Sequence, residues 1–265
     1  MDLKRKYGST ALVAGASQGI GAAFASALAA EGMNLVIVAR RPGPLQEFGN
    51  RLAAKHKVVV QCIASDLSEP DTLRTIEKEL NGKEIDLLVY NAAISPIGSF
   101  DKTANDLIAQ AARVNMITPM TMVRSLSGGM LERGRGAVIL MSSLAGFQGS
   151  GYLAVYAATK AFNRVLAESL WYEWKNRGVD VIACCAGATS TPGYLNSEPG
   201  KVSAFAPRVL TPDEVADECL RKLGKQPSMI TGTGNRVASF VMQRLFSRKK
   251  AVNIMGNNTR KMYGF

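Results

Sequence analysis

Short apolar runs alternate with longer segments of helical period along most of this sequence, and this alternation constrains the fold more than any other feature. Three strand-like runs, each followed by a helix-like segment, come first: 10–14 then 19–31, 34–39 then 45–56, and 58–64 then 71–80. Further strands are expected at 87–90, 137–141 and 179–185, with one long helix within 104–133 and another helix over 155–177. Such alternation predicts right-handed βαβ crossovers, and therefore an α/β fold with a doubly wound parallel sheet and helices on both faces.

The alternation ends after Gly187, where a segment rich in Thr, Ser, Pro and Gly extends to about Pro207. This segment is longer than most connections in compact domains, so we expect it to be functional. A helix should follow, with Thr211 as its N-cap and Pro212 at its first position. A short final strand is expected near 228–231.

A length of 265 residues is ordinary for one α/β domain whose sheet is covered on both faces. We therefore expect a single Rossmann-fold domain over 1–265, divided into a core over 8–232, a substrate loop over 187–207 and a helical tail over 233–265. The apolar stretches are much too short to cross a bilayer. The charged N-terminus lacks an apolar signal core, so a cytoplasmic location is expected.

The sequence contains few of the residues that metal sites, histidine triads and nucleic-acid interfaces require. The four cysteines, Cys62, Cys184, Cys185 and Cys219, lack metal-type spacing and are interpreted as small buried side chains. His56 is the only histidine, which argues against a histidine triad or a zinc site. The formal charge of +11 raises the question of nucleic acid, but the basic clusters lack interleaved aromatic residues, so no nucleic-acid partner is expected.

A glycine-rich loop lies between the first strand and the first long helix, with glycines at Gly15, Gly19 and Gly21. Glycines at such a point allow the backbone to turn sharply and to approach a pyrophosphate, whose charge the helix N-terminus stabilises. The strand–loop–helix context favours a nucleotide site, although the spacing differs from the ordinary GxGxxG.

This spacing resembles the GxxxGxG loop of the short-chain dehydrogenase/reductase family, and the resemblance extends from about residue 8 to 232. Asp66 matches the family aspartate near adenine, the Asn91–Ala93 segment is similar to its NAG motif, and Asn115 matches a structural and proton-relay asparagine. The family's PGxxxT motif appears with Ala186 in place of proline. The resemblance implies a cofactor site made of Gly15, Ser17, Gln18, Gly19, Ile20, Gly21, Arg40, Arg41, Asp66, Leu67, Asn91, Ala92, Tyr156, Lys160, Gly187, Thr189 and Thr191.

The second strand ends at Arg40 and Arg41, where an NAD-preferring sheet is expected to carry an acidic residue for the ribose 2′-hydroxyl. A guanidinium at that point can instead hold a 2′-phosphate through charge-assisted hydrogen bonds. Ser17 offers a further hydroxyl donor. The sequence therefore predicts NADP(H) as the cofactor, unless the two arginines are only surface charges.

A YxxxK motif from Tyr156 to Lys160 opens the helix predicted over 155–177. Four-residue spacing puts both side chains on one face of a helix, and a nearby ammonium lowers the pKa of a phenol. The YxxxK motif alone is weak evidence for a catalytic site. It is similar to the family motif because Ser143 precedes it in the family's register, and with Asn115 the resemblance implies a catalytic tetrad of Asn115, Ser143, Tyr156 and Lys160.

The tetrad implies interconversion of a ketone and a secondary alcohol, with Tyr156 as general acid and base. Gln148, Tyr152 and Tyr194 are expected to line the substrate site with Ser143 and Tyr156, and Leu195 and Phe205 to belong to its lid. Segments around Lys6–Gly8, Thr189–Pro192, Leu210–Pro212 and Lys222–Lys225 resemble bacterial hydroxysteroid dehydrogenases, so a steroid or another bulky carbonyl is expected. A catalytically silent NADP(H)-sensing protein is the alternative.

The tail mixes Phe240, Val241, Met242, Leu245 and Phe246 with Arg244, Arg248, Lys249 and Lys250 over 237–252. This pattern predicts an amphipathic helix that contacts a membrane or another subunit. A helix packed on its own domain has the same pattern, so membrane contact is not favoured. The resemblance implies a homodimer or a homotetramer.

Overall fold

Seven parallel strands form one sheet in the computed structural model, which describes residues 1–197, 199–200 and 208–265. The strand order is β3-β2-β1-β4-β5-β6-β7. The strands are β1 (Thr10–Ala14), β2 (Asn34–Ala39), β3 (Val60–Ala64), β4 (Leu87–Tyr90), β5 (Gly136–Ser143), β6 (Val179–Ala186) and β7 (Ser228–Ile230). This topology confirms the predicted α/β fold, a doubly wound parallel sheet.

Helices cover both faces of the sheet. They are α1 (Leu3–Tyr7), α2 (Gly19–Ala30), α3 (Pro42–His56), α4 (Thr72–Leu80), α5 (Asn105–Ala112), α6 (Thr118–Glu132), α7 (Ala154–Trp174), α8 (Pro192–Leu195), α9 (Pro212–Lys222), α10 (Thr233–Arg244) and α11 (Arg248–Tyr263). Within the described ranges, none of them is long and apolar enough to span a membrane.

Side chains of the central strands point alternately to two separate cores, one on each face of the sheet. In β1, Ala11 and Val13 pack with α2, α3 and α9 on one face, while Leu12 and Ala14 pack on the other. All four are fully buried. A sheet covered on both faces needs such continuous apolar strands, which is why the runs in the sequence identify the strands so well.

The predicted cysteine environments are mostly as expected. Cys184 and Cys185 are buried in β6, and Cys219 is buried in α9. Cys62 is only partly buried, because it lies on β3 at the edge of the sheet.

The prediction of one long helix within 104–133 is confirmed, since the chain is helical from 105 to 132, but the helix contains a π-helical turn. Helices α5 and α6 are separated by a π-helical turn from Arg113 to Ile117. Pro119 lies in the first turn of α6 and has no N–H, so it cannot donate the regular helical hydrogen bond to the carbonyl of Asn115. The wider turn accommodates this missing bond.

The start of α9 confirms the predicted cap. Thr211 Oγ1 accepts a hydrogen bond from the backbone N–H of Glu214 at 3.2 Å, and the Glu214 carboxylate accepts one from the backbone N–H of Thr211 at 2.8 Å. These reciprocal bonds form a capping box and fix where the chain re-enters a helix after the loop.

The prediction of a single amphipathic helix over 237–252 is wrong, because two helices cover this segment. The chain breaks between α10 and α11, and Ser247 caps α11 by accepting from the backbone N–H of Lys250. The apolar side chains of the segment are divided, since Val241, Met242 and Phe246 are partly buried whereas Phe240 and Leu245 are exposed. The expected lid residue Phe205 lies outside the described residues.

Candidate active site

The predicted functional residues meet at one edge of the sheet, where the parallel strands end. The glycine loop follows β1, Arg40 follows β2, Ser143 ends β5 and Gly187 follows β6. In open parallel sheets this edge forms the ligand-binding crevice, at the point where the strand order reverses around β1 and β4.

The backbone of the glycine loop is held by β2 and accepts no larger side chains. Gly15 has a φ of +81° and donates to the carbonyl of Val38 at 2.8 Å. A Cβ on Gly21 would lie 2.0 Å from the carbonyl oxygen of Gly15, and one on Gly19, where φ is +58°, would lie 2.9 Å from Thr191 Cγ2. The glycines therefore allow a tight turn and bring Thr191 against the loop.

This loop leads directly into α2 and fits a dinucleotide pyrophosphate. Gln18, the N-cap residue, makes no side-chain hydrogen bond to the first turn of the helix. The first N–H groups of α2 and the helix dipole are then free to stabilise a negative charge, and the absence of Cβ atoms allows close approach. Ser17 and Ile20 lie in the same turn, both partly buried.

Two arginines at the end of β2 border the loop. The guanidinium of Arg41 donates to Gln18 Oε1 at 3.4 Å, so it lies beside the glycine loop. Arg40 lies close to Asp66, and both arginines are exposed. Burial by itself would raise the pKa of Asp66, but hydrogen bonds from Ser68 and the charge of Arg40 hold that pKa below its ordinary value.

Residues after β3 and β4 complete this part of the site. Asn91 Nδ2 donates to the carbonyl of Gly15 at 3.0 Å, and the backbone of Ala92 lies against Gly15. Leu67 is buried, and its carbonyl accepts a hydrogen bond of 2.9 Å from Thr118 Oγ1. The structure thus brings the predicted cofactor residues from four strand ends together.

The two serines at the end of β5 have different environments. Ser142 is buried, and its hydroxyl donates to the carbonyl of Lys160 at 2.7 Å. The Ser143 hydroxyl instead lies beside the phenol of Tyr156 and accepts from the N–H of Ala145 at 3.2 Å. Ser143 is therefore the serine that faces the Tyr156 phenol.

Tyr156 and Lys160 lie one turn apart near the start of α7. Lys160 Nζ is 5.6 Å from the centroid of the Tyr156 ring. The pKa of Tyr156 is raised by burial of its phenol, while Ser143 acts in the opposite direction and Tyr263 adds to the increase. The YxxxK pair alone predicts a lower pKa, whereas in this arrangement burial of the phenol is the largest influence and raises the pKa.

Lys160 is almost completely buried, at 2% exposure. Its ammonium donates to the carbonyl of Met141 at 2.9 Å. Burial lowers the pKa of Lys160 to about 8, partly offset by Cys185 and Cys184 nearby. A buried amine with a pKa near neutrality can gain or lose a proton at modest cost.

Asn115 lies in the π-helical turn and is fully buried. Its side chain accepts from the N–H of Ile94 and donates to the carbonyl of Ile94, each at 2.8 Å. It also donates to Thr159 Oγ1 at 3.0 Å. The asparagine thereby connects the chain after β4 with the helix that carries Tyr156 and Lys160.

The loop after β6 folds back onto itself near the glycine loop. Thr189 is buried, and its hydroxyl donates to the carbonyl of Gly187 at 3.0 Å. Thr191 Oγ1 caps α8 by accepting from the N–H of Tyr194 at 3.2 Å. A Cβ on Gly187 would lie 2.5 Å from Asn235 Nδ2, so the loop packs tightly on α10.

Of the two predicted substrate residues that follow Ser143, Tyr152 contacts the tail and Gln148 packs within its own loop. Gln148 is buried and its side-chain amide donates to the carbonyl of Leu144 at 3.3 Å. Tyr152 has a φ of +62°, and its ring stacks on Phe265 with centroids 4.6 Å apart and an interplanar angle of 11°. Aromatic stacking of this kind stabilises the position of the Tyr152 ring.

Helix α11 lies over both loops that border Tyr156, a feature that the sequence analysis missed. Thr259 contacts Ser150 through their hydroxyl oxygens at 3.4 Å, and the carbonyl of Met262 accepts from the N–H of Gly200 at 2.7 Å. The Tyr263 hydroxyl lies 3.4 Å from Ser197 Oγ. No motif or spacing in the sequence identifies these contacts.

Tyr263 is close enough to both Tyr156 and Tyr194 to influence their ionisation, and it raises the pKa of each after the larger effect of burial. It therefore joins the residues around the candidate reaction centre. Among the described residues, no group of three or more His, Cys, Asp or Glu side chains is arranged to hold a metal ion.

Comparisons with known proteins agree with this arrangement. A model of the short chain dehydrogenase family matches residues 9–200. The 7beta-hydroxysteroid dehydrogenase of Mediterraneibacter gnavus is 33% identical over 240 residues, which cover 90% of this chain and 91% of the relative.

Solved structures share the fold over most of the chain. One from a study of 7beta-hydroxysteroid dehydrogenase stereoselectivity gives a TM-score of 0.91 at 30% identity, covering 96% of this chain and 99% of the other. A short-chain dehydrogenase from Sphingobium yanoikuyae in complex with NADPH gives a TM-score of 0.75 at 29% identity, covering 84% and 87%. The protein is accordingly an oxidoreductase that acts on CH–OH groups of a small-molecule substrate, and it belongs to the short-chain dehydrogenase/reductase family, which uses NAD(P)(H).

Proposed function

We propose that this protein is an NADP(H)-dependent oxidoreductase that interconverts a ketone and a secondary alcohol on a steroid or a similarly bulky hydrophobic molecule. The observation that carries the proposal is the convergence of Ser143, Tyr156 and Lys160 at the edge of the sheet where the glycine loop follows β1. This arrangement supports proton transfer to a carbonyl oxygen beside a bound nicotinamide.

Arg40 and Arg41 support NADP(H) over NAD(H). Both side chains are exposed at the end of β2, and Arg41 reaches the glycine loop through Gln18. In this proposal they hold the 2′-phosphate by charge-assisted hydrogen bonds, where an acidic residue would repel it. The NADPH complex of the Sphingobium yanoikuyae relative is compatible with this choice.

The chain's own residues carry the proton chemistry in this proposal. When bound, NADPH supplies the hydride that reaches the carbonyl carbon. Tyr156 donates its phenolic proton to the carbonyl oxygen, and Ser143 holds that oxygen by a hydrogen bond. A buried phenol whose pKa is raised remains protonated at neutral pH, as a proton donor must.

Lys160 and Asn115 have supporting roles in this proposal. Lys160, with its pKa near 8, is suited to stabilising the phenolate after proton transfer and to returning a proton. Asn115 positions α7 through Thr159, as described above. In this proposal Gly187, Thr189 and Thr191 also contribute to the cofactor site, which the packing of Thr191 against Gly19 supports.

The substrate site is proposed to lie between the loop after Ser143 and the loop after Gly187, with Gln148, Tyr152 and Tyr194 in its lining. Helix α11 closes this space with Tyr263 and Phe265, which adds aromatic surface. Aromatic and aliphatic linings suit a bulky apolar skeleton with one polar oxygen. The relationship to a 7beta-hydroxysteroid dehydrogenase supports a steroid substrate.

A catalytically silent NADP(H) sensor has no support from the site, since Ser143, Tyr156 and Lys160 are all present and close together.

We also propose a homodimer or homotetramer. Exposed apolar side chains on α6 and α7, including Met120 at 42% and Tyr172 at 69%, support contact between copies of the chain.

The proposal is tested by following NADPH oxidation at 340 nm with 3-, 7-, 12- and 17-oxo steroids. Turnover of at least one ketone is expected, and Tyr156→Phe should lower kcat by at least about 100-fold while NADPH binding is unchanged. Arg40→Asp should raise the KM for NADPH by about tenfold or more without the same effect on NADH. An absence of turnover on every ketone would overturn the proposal in favour of the sensor.

A further inference from the structure

Helix α10 leaves two large apolar side chains exposed to solvent, although two of its polar side chains are buried. Asn235 and Ser239 are 4% and 8% exposed, whereas Val237 and Phe240 are 60% and 59% exposed. Leu245, directly after the helix, is 66% exposed. Water-facing apolar side chains in such a group indicate a surface that is covered by a partner.

Three of the exposed residues lie on one side of α10. Val237, Phe240 and Arg244 are spaced three and four residues apart, so they lie along one side of α10, and Leu245 follows where the helix ends. We call Val237, Phe240, Arg244 and Leu245, with Lys249 and Lys250 at the start of α11, the α10 face. All six residues are exposed.

The charge around this face has one sign. The segment 233–265 contains seven Lys and Arg residues and no Asp or Glu. Arg236 forms an ion pair with Glu218, and Arg248 donates to the carbonyl of Phe147 at 2.7 Å, so these two are engaged within the protein. Arg244 and Lys249 make no ion pair among the described residues.

We propose that the α10 face docks this protein onto an anionic lipid bilayer, with Val237, Phe240 and Leu245 inserted at the interface and the basic residues among the lipid headgroups. Apolar side chains flanked by Lys and Arg on a helix lying in the membrane plane bind in this way. A second copy of the chain is a poorer occupant, because a symmetric contact would place the two basic clusters against each other.

Docking by this face places the candidate active site at the same end of the molecule. Helix α10 packs on Gly187 through Asn235, and Arg248 holds the carbonyl of Phe147 in the loop after Ser143. The α10 face therefore lies on the element that backs the two loops bordering Tyr156. Such an arrangement suits an enzyme whose apolar substrate partitions into lipid.

The test is flotation of the full chain, with NADPH present, on two kinds of vesicle. One consists of phosphatidylcholine alone, and the other of phosphatidylcholine with one quarter phosphatidylglycerol. Binding to the anionic vesicles alone is expected, and it should weaken as salt concentration rises. Failure of the wild type to float with anionic vesicles would overturn the proposal.

Two variants test the apolar and the basic residues of the α10 face separately. The triple variant Val237→Ser, Phe240→Ser, Leu245→Ser removes the apolar contacts, and the triple variant Arg244→Gln, Lys249→Gln, Lys250→Gln removes charge. The second change should weaken binding to anionic vesicles by about 100-fold. The matched control, Arg51→Gln, Lys55→Gln, Lys57→Gln, removes the same charge from the exposed surface of α3 and the residue after it and should bind as the wild type does.

Sedimentation of the same proteins distinguishes the remaining explanation. The serine variant should keep the oligomeric state of the wild type, because the face contacts lipid rather than another copy. Dissociation of the assembly by this variant, with vesicle binding unchanged, would contradict the proposal and identify the face as a subunit interface. Flotation unaffected by both triple variants would likewise contradict it.

Discussion

Asn115 Nδ2 donates a 3.0 Å hydrogen bond to Thr159 Oγ1, and through it the π-helical turn before α6 is fixed to the helix that carries Tyr156 and Lys160. Thr159 lies between the two proposed catalytic residues in sequence, and its hydroxyl also donates to the carbonyl of Tyr156 at 2.9 Å. A single buried amide thus sets the position of the first turns of α7 relative to the strand ends.

Replacement of Asn115 by alanine should destabilise the protein strongly. The N–H and carbonyl of Ile94 would lose their partners, and leaving two such groups unpaired in the interior costs about 3 kcal/mol. Thr159→Val, which removes only one partner of Asn115, should cost about 1 kcal/mol. Urea unfolding of both variants measures the difference, and equal losses would contradict this role for Asn115.

Replacement of Gly21 by alanine should disrupt the cofactor loop. The new Cβ would lie 2.0 Å from the carbonyl oxygen of Gly15, so the loop backbone must move away from the pyrophosphate. We expect NADPH affinity to fall by about tenfold or more, measured by fluorescence titration.

The control for that variant is Gly128→Ala in the interior of α6, where an added Cβ meets no atom within 4 Å. It should leave NADPH affinity unchanged and stabilise the fold by about 0.5–1 kcal/mol, since alanine is the better helix former. Equal NADPH affinities for the two variants would exclude a steric role for Gly21.

The buried ammonium of Lys160 predicts a pH dependence of stability. Its pKa is lowered to about 8 in the folded chain, whereas a solvated lysine titrates near ~10.4. Between these values the unfolded chain binds more protons, so the contribution of Lys160 to stability becomes more favourable as the pH rises. The free energy of unfolding of Lys160→Met minus that of the wild type should therefore fall by about 2 kcal/mol between pH 7 and pH 10.

Urea unfolding at both pH values, without added cofactor, checks this expectation. The comparison stops at pH 10, because the raised pKa of Tyr156 adds a contribution of opposite sign above that value. A difference between the two proteins that stays constant from pH 7 to pH 10 would show that Lys160 titrates as a solvated lysine does.

The stack of Tyr152 on Phe265 predicts a selective effect on large substrates. Phe265→Ala removes an aromatic contact worth about 1 kcal/mol and frees the Tyr152 ring. The KM for a bulky ketone should rise by about threefold to tenfold, with kcat nearly unchanged. A small aliphatic ketone serves as the control substrate, and an equal effect on both ketones would argue against a role in substrate fit.

Local signals made the fold and the cofactor loop predictable. Strands β1, β2 and β4 begin and end where the apolar runs do, because a sheet buried on both faces requires such runs. The spacing of Gly15, Gly19 and Gly21 likewise reflects a steric requirement of the backbone itself. Both features depend on residues close together in the chain.

The features that could not be predicted depend on tertiary contacts. The π-helical turn requires both the missing N–H of Pro119 and the partners that Asn115 finds on Ile94 and Thr159. The return of Phe265 to Tyr152 has no local signal. The exposure of Phe240 depends on which surfaces the rest of the domain leaves uncovered, and hydrophobic periodicity does not contain that information.

The sheet order also has a consequence for synthesis of the chain. Strand β1 pairs with β2 on one side, which is available early, but its other partner is β4, with Ala11 opposite Leu87. Until residue 90 has left the ribosome, one side of β1, whose residues 11–14 are fully buried in the folded enzyme, is an open apolar edge. Chains interrupted between β3 and β4 are therefore prone to aggregate. During that interval, chaperones are needed to protect the nascent chain of this enzyme from aggregation.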